Sequence, residues 1–160
     1  MKIDDDYAKD LADEIGKSKS FESPQQEAFL NLVRTYEVLM GEFDRLFKTQ
    51  GLSGPQYNAL RILRGHRKPL PVYTVAEQMV TREPDITRLV DRLEQAGFAG
   101  RKRSNEDRRV VLVELTVAGK AVLKKLDGPV RKLHQAQLGH MGRRKLKLLN
   151  ELLFEARCPK

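Results

Sequence analysis

The 160-residue sequence predicts a mainly α fold carrying one small β-hairpin, and three observations lead there. Stretches on both sides of the middle repeat apolar residues every three or four positions, the period of a helix. Between them Ile86, Leu89, Val90 and Leu93 fall at i, i+3, i+4 and i+7, and Gly97 stands where a helix takes a left-handed C′ residue. After Gly97 the period changes. Arg101-Lys102-Arg103 leads into the turn-forming run Ser104-Asn105-Glu106-Asp107, and the β-branched stretch from Arg109 to Leu115 follows. An amphipathic helix with a basic outer face, then a cationic hairpin, is the layout of a winged helix-turn-helix. The helix enters one groove of a duplex and the wing reaches the next.

The elements follow in order. Residues 1–22 alternate charge with small residues and hold few apolar positions (Ile3, Tyr7, Leu11, Ile15), which suits either a short helix or a mobile arm. Ser23-Pro24-Gln25-Gln26 starts a helix: Ser23 caps, Pro24 suits the first helical position, and Gln26 completes a capping box on the Ser23 amide. Phe29, Leu32, Val33, Tyr36, Leu39, Met40, Phe43, Leu46 and Phe47 carry the period to Gln50. Such a helix is roughly 40 Å long, and its wide apolar stripe needs more than one neighbour. Ser53 begins a second helix, ending near Gly65, and the charges and prolines of residues 66–71 predict a loop.

Residues 72–80 predict a third helix, the first half of a helix-turn-helix, with Thr81-Arg82-Glu83 as the turn and Pro84 in the first turn of the next helix, which runs to Ala96. Thr116 caps a further helix, which the pair Gly128-Pro129 should kink or break. Gly142 starts the last helix, whose first turn, Arg143-Arg144-Lys145, sets cations against the positive end of the helix dipole. The first long helix and the last two are apolar beyond what a winged-helix core covers, so they present an apolar surface in need of a partner.

Thr87-Arg88-Leu89-Val90-Asp91-Arg92-Leu93-Glu94, Gly97, Arg101, Asp107-Arg108-Arg109 and Leu115-Thr116-x-x-Gly119 resemble the signature of the multiple-antibiotic-resistance regulator (MarR) family, in order and spacing. The resemblance runs from about Ser23 to the C-terminus. It implies a dimeric transcriptional regulator, usually a repressor, in which the terminal helices interlock with those of a second subunit. It also implies that residues 24–50 and 117–157 are dimerisation helices around a DNA-binding winged helix at 53–116, all within a domain at 23–158. Relatives often bind small aromatic acids between those two parts, and Tyr36, Met40, Tyr57 and His66 are the candidates for such a crevice. At helical spacing Tyr36, Met40 and Tyr57 also read as ordinary core. Some relatives sense oxidants through a cysteine near the N-terminus, where this sequence has none.

Composition supports an anionic partner. The formal net charge is +8, and residues 1–22 hold four lysines against seven acids, leaving +11 on the remainder. No apolar run approaches the about 18 residues that cross a bilayer. The opening MKIDDDYAKD is acidic where a signal peptide is cationic and then apolar, and the single cysteine, Cys158, has no internal partner. A cytoplasmic location is the expectation. His66, His134 and His140 form no set with metal-ligand spacing, so no metal or cofactor is expected. There is no Gly-rich phosphate loop and no nucleophile-elbow motif, so the sequence does not predict an enzyme.

Reading a major groove takes side chains near a helix N-terminus that reach base edges, and longer cations that reach phosphates. Pro84, Asp85, Thr87 and Arg88 suit the first task; Thr81, Arg82 and Arg92 suit the second. Asp85 accepts from cytosine N4 or holds Arg88 across i+3. In the wing, Arg101, Lys102, Arg103, Arg108 and Arg109 sit within nine residues. Asp107 and Arg109 share a face if the chain is extended, ~7 Å apart along a strand, so that Asp107 steers the Arg109 guanidinium. In the resembled family the matching arginine enters the minor groove, where a narrow A·T-rich tract concentrates negative potential. The expected partner is double-stranded DNA, bound as a homodimer on a pseudo-palindromic operator, with relief by a small aromatic or phenolic effector. Two other classes fit the same charges: a non-specific architectural nucleic-acid binder, and a winged-helix module that grips an acidic protein.

Overall fold

The computed structural model describes residues 10–158. The element order is α1 (Leu11–Glu14), α2 (Pro24–Lys48), α3 (Gly54–His66), β1 (Leu70–Pro71), α4 (Val72–Glu77), α5 (Ile86–Gln95), β2 (Ala99–Arg103), β3 (Val111–Leu115), α6 (Val117–Leu138), a 3-10 turn (Gly139–Met141) and α7 (Gly142–Arg157). The chain divides into two compact units within α2, one ending at Glu42 and the other starting at Phe43.

In the first unit, Asp10 caps the single turn α1, its carboxylate accepting from the Asp13 amide at 3.0 Å. Part of the expectation for the N-terminal arm, including Ile3 and Tyr7, lies outside the described residues. Glu14 pairs with Arg34 of α2 at 3.0 Å. The start of α2 departs from a capping box by one residue. Ser23 Oγ accepts from the Gln26 amide at 3.2 Å, but Gln26 Oε1 accepts from the Glu22 amide at 2.9 Å, not from that of Ser23. Phe29, Leu32, Val33 and Tyr36 are exposed along this stretch of α2.

In the second unit α3 is the hub, packing against α4, α5, α6 and β3. Its start is a complete capping box. Ser53 Oγ accepts from the Gln56 amide at 3.4 Å, and Gln56 Oε1 accepts from the Ser53 amide at 2.9 Å. The core gathers Leu60 and Leu63 of α3, Val75 of α4, Leu93 of α5, Val113 of β3, and Leu123 and Leu126 of α6, each at most 2% exposed. The segment 66–71 is not all loop: Leu70–Pro71 pairs antiparallel with β3, Leu70 opposite Val113, so the sheet has three strands in the order β1-β3-β2. Two residues are too short to show a strand period, and a proline in them argues for a loop. Here Pro71 stands on an edge strand, where its missing N–H costs little.

The pair Gly128-Pro129 does not break α6, which runs unbroken from Val117 to Leu138. A proline inside a helix costs about 3 kcal/mol, but Leu126 and Val130 on either side are buried, and the intervening Asp127 is fastened to α3. Arg64 donates to both Asp127 oxygens, at 2.9 and 2.7 Å, and Arg61 approaches one of them at 3.5 Å. The hydrogen bonds from Arg64 hold the Asp127 carboxyl below its ordinary range. By contrast α7 buries none of its 16 residues, leaving Leu148, Leu152 and Phe154 exposed. Among the described residues no helix is long and apolar enough to cross a membrane.

Candidate nucleic-acid interface

The helix-turn-helix is α4, a connection, and α5. Helix α4 ends at Glu77, three residues before the predicted end, and the Val80 amide donates to Asn58 Oδ1 of α3 at 2.8 Å. That bond draws the connection onto α3 and leaves the Val80 side chain 86% exposed. Helix α5 begins at Ile86, not Pro84, because Asp85 is its cap, with Oδ1 accepting from the Arg88 amide at 2.9 Å. Asp85 thus holds Arg88 through its backbone, leaving the guanidinium outside that bond. Leu89, Val90 and Leu93 face the core, and Gly97 ends the helix at φ +73° as the sequence predicts. On the outward side Thr81, Arg82, Pro84, Asp85, Thr87, Arg88 and Arg92 are all exposed.

Strands β2 and β3 pair in register, Ala99 opposite Leu115 and Arg103 opposite Val111, around a loop of residues 104–110. The strand predicted from Arg109 begins two residues later, at Val111. Asp107 Oδ1 accepts from the Arg109 backbone amide at 2.9 Å, the Val110 amide donates to the Asp107 carbonyl at 2.9 Å, and the Ser104 amide donates to the Val110 carbonyl at 2.9 Å. Asp107 therefore shapes the tip as an Asx turn and does not lie along a strand face beside the Arg109 guanidinium. The five wing cations divide. Lys102 pairs with Glu114 across the hairpin at 3.0 Å, and Arg101 is engaged with α5. Among the described residues Arg103, Arg108 and Arg109 have no ion-pair partner.

Elsewhere the candidate positions separate. Tyr57 stacks on Phe47 at 4.2 Å between ring centroids, with the Arg61 guanidinium 6.0 Å from the Tyr57 ring centroid. His66, nine residues along the same helix and so about half a turn round from Tyr57, bonds Gln78 Oε1 through Nε2 at 2.7 Å. Those two side chains leave α3 on opposite sides. In the other unit, Tyr36 is 51% exposed and Met40 is partly buried on α2. Among the described residues no group of three or more His, Cys, Asp or Glu side chains could hold a metal ion, and Cys158 is exposed.

A helix-turn-helix with an exposed polar recognition face and a cationic wing matches known proteins closely. The model of the MarR family matches residues 52–111, the span from just before α3 to the first residue of β3. The crystal structure of a MarR transcription factor from Planctomyces limnophilus is 43% identical, with a TM-score of 0.65 over 84% of this chain and 98% of that one. The chain belongs to the MarR family. As a MarR-family protein it is a DNA-binding transcriptional regulator and not an enzyme. It is also similar to the regulator FarR of Neisseria gonorrhoeae, 28% identical over 126 residues that span 79% of this chain and 86% of FarR. NadR, solved in complex with 4-hydroxyphenylacetate, is 25% identical with a TM-score of 0.68, over 89% of this chain and all of that one.

Beside this candidate interface the structure places Asn58 and the exposed pair Tyr73 and Val80, 60% and 86% exposed, none of which the sequence singles out. Nothing local marks Asn58, because its partner lies 22 residues away. Val80 reads as the apolar end of a helix, and only the early stop of α4 turns it outward.

Proposed function

We propose that this regulator binds a pseudo-palindromic operator as a homodimer in the cytoplasm, acts as a repressor, and is relieved by a small aromatic or phenolic acid. The observation that carries it is the pairing of two surfaces: the exposed residues leading into and along α5 (Thr81, Arg82, Pro84, Asp85, Thr87, Arg88, Arg92) and a wing tip whose Arg103, Arg108 and Arg109 have no ion-pair partner among the described residues. Helix α5 enters the major groove, with Arg88 placed for a guanine edge, while Arg109 reaches the flanking minor groove. Residues 53–116 form the DNA-binding winged helix. The exposed apolar rows on α2 (Phe29, Leu32, Val33, Tyr36) and on α7 (Leu148, Leu152, Phe154) supply dimerisation surfaces within a domain at 23–158. Two-fold symmetry sets the half-sites about one helical turn, ~34 Å, apart. NadR's aromatic acid ligand supports an effector of that class.

Selection from a random DNA pool, then titration of the winner against scrambled duplex across salt, tests the core of this reading. An inverted repeat bound at least about a thousandfold tighter than scramble is expected. Steep salt-dependent binding to any duplex, with no enrichment, would leave only a non-specific architectural binder. Arg109→Ala is expected to weaken operator binding and lower the slope of log K against log salt by about one counterion. An unchanged slope and affinity removes Arg109 from the groove. For Arg88→Ala, about 1–3 kcal/mol is lost on the operator while scrambled duplex is bound as before. Equal losses on both duplexes would show that Arg88 does not read bases.

A further inference from the structure

Arg101 sits mid-way along β2, opposite Val113, yet its side chain turns to the recognition helix. Nη1 donates to Asp91 Oδ1 and, at 3.4 Å, to Glu94 Oε2; Nη2 donates to the Thr87 carbonyl at 3.0 Å. Its own backbone amide donates to Glu94 Oε1 at 3.3 Å. Thr87, Asp91 and Glu94 stand at i, i+4 and i+7, so the guanidinium spans two turns of α5 along one stripe. With 23% of its side chain exposed, Arg101 is the least exposed cation in any ion pair among the described residues.

Two physical consequences follow. A planar fork held by three acceptors in different directions fixes an angle as well as a distance, so the wing strand and recognition helix move as one body. Asp91 and Glu94 are also acids on a helix that approaches phosphates, and pairing them inward removes a repulsion that would oppose DNA. A cation so engaged has little left to offer a phosphate.

We propose that Arg101 is a positioning residue for DNA binding: it clasps the wing to the recognition helix and neutralises Asp91 and Glu94, without itself touching the duplex. This rests on the DNA-binding reading above. It assigns Arg101 a task different from that of the other wing arginines, although sequence places it among them.

The test compares full-length wild type, Arg101→Lys, Arg101→Gln and the triple variant Arg101→Gln/Asp91→Asn/Glu94→Gln, titrated across salt on the selected duplex and on scrambled duplex of equal length. Lysine keeps the charge but has no fork, so it keeps a phosphate contact and loses the clasp. We expect Arg101→Lys and Arg101→Gln to bind the selected duplex roughly tenfold or more weakly, with the wild-type salt slope retained in Arg101→Lys. The triple variant, relieved of unpaired carboxylates, should recover part of the loss relative to Arg101→Gln. A lysine variant that binds as wild type does, or a triple variant that recovers nothing and has a slope lower by one counterion, overturns this inference alone. Wild type that binds neither duplex overturns the DNA-binding reading, and this inference with it. Circular dichroism melts identify any variant that fails to fold. If Arg101→Gln does, the lysine and triple variants decide.

Discussion

Truncating Leu93 to alanine is expected to lower the unfolding free energy by about 2–5 kcal/mol. Leu93 is fully buried on the inner face of α5, the helix that also packs on α3, α4 and β2. Removing its isobutyl group takes away the transfer free energy of those carbons and leaves a cavity that flanking elements cannot fill without moving. Since a domain of this size is stable by only about 5–15 kcal/mol, the loss is a large fraction of the whole. Urea denaturation at one fixed protein concentration measures it, because any dimer contributes a concentration-dependent share. The cavity is behind the recognition face, so at temperatures where the variant is folded its salt slope on DNA should match wild type. A change under about 1 kcal/mol would mean that the core beneath α5 can close over the gap, since collapsible sites cost least.

Gly119→Ala sets two effects against each other. On helix propensity alone the change should stabilise α6 by about 1 kcal/mol. The position says otherwise: a Cβ on Gly119 would lie 2.1 Å from the Phe98 carbonyl oxygen and 2.7 Å from Leu115 Cδ1. The carbonyl oxygen belongs to the backbone and already accepts the Thr116 amide at 3.2 Å, so it cannot rotate away like a side chain. Either α6 lifts or the Phe98 peptide shifts, at about 1–3 kcal/mol or more. The steric effect outweighs the propensity gain, and the expected result is net destabilisation. The urea midpoint gives the sign directly: a midpoint raised by the substitution would show that α6 does not approach Phe98 this closely. Phe98 links the end of α5 to β2, and Thr116 Oγ1 donates to the neighbouring Gly97 carbonyl at 2.7 Å. A shift there should also misalign the wing, so weaker DNA binding is expected to accompany the stability loss.

Much of the fold is legible without coordinates because it is local. Apolar residues at i, i+3, i+4 and i+7 place α5 and its buried face. Gly97 takes the left-handed conformation that ends it, at φ +73°, and Thr116 Oγ1 accepts from the Gly119 amide at 3.0 Å to start α6. Each rests on interactions within one or two turns. The misreadings are equally physical. Gly128-Pro129 suggests a kink or a break because proline's cost is local, whereas what keeps the helix unbroken, the burial of Leu126 and Val130 and the grip of Arg64 on Asp127, comes from other elements. Strand β1 is two residues long and exists only because β3 lies beside it.

The candidate site divides along the same line. The sequence by itself determined that the chain carries an amphipathic helix with a basic outer face followed by a cationic hairpin, because periodicity, caps and charge are properties of neighbours along the chain. Only the tertiary structure decided what each charge does. It turned Arg101 inward onto Asp91 and Glu94, and tied the helix-turn-helix connection to Asn58. An ion pair or a hydrogen bond acts over a few ångströms of space, and residues 7, 10 or 22 apart come that close only once the helices and strands have packed.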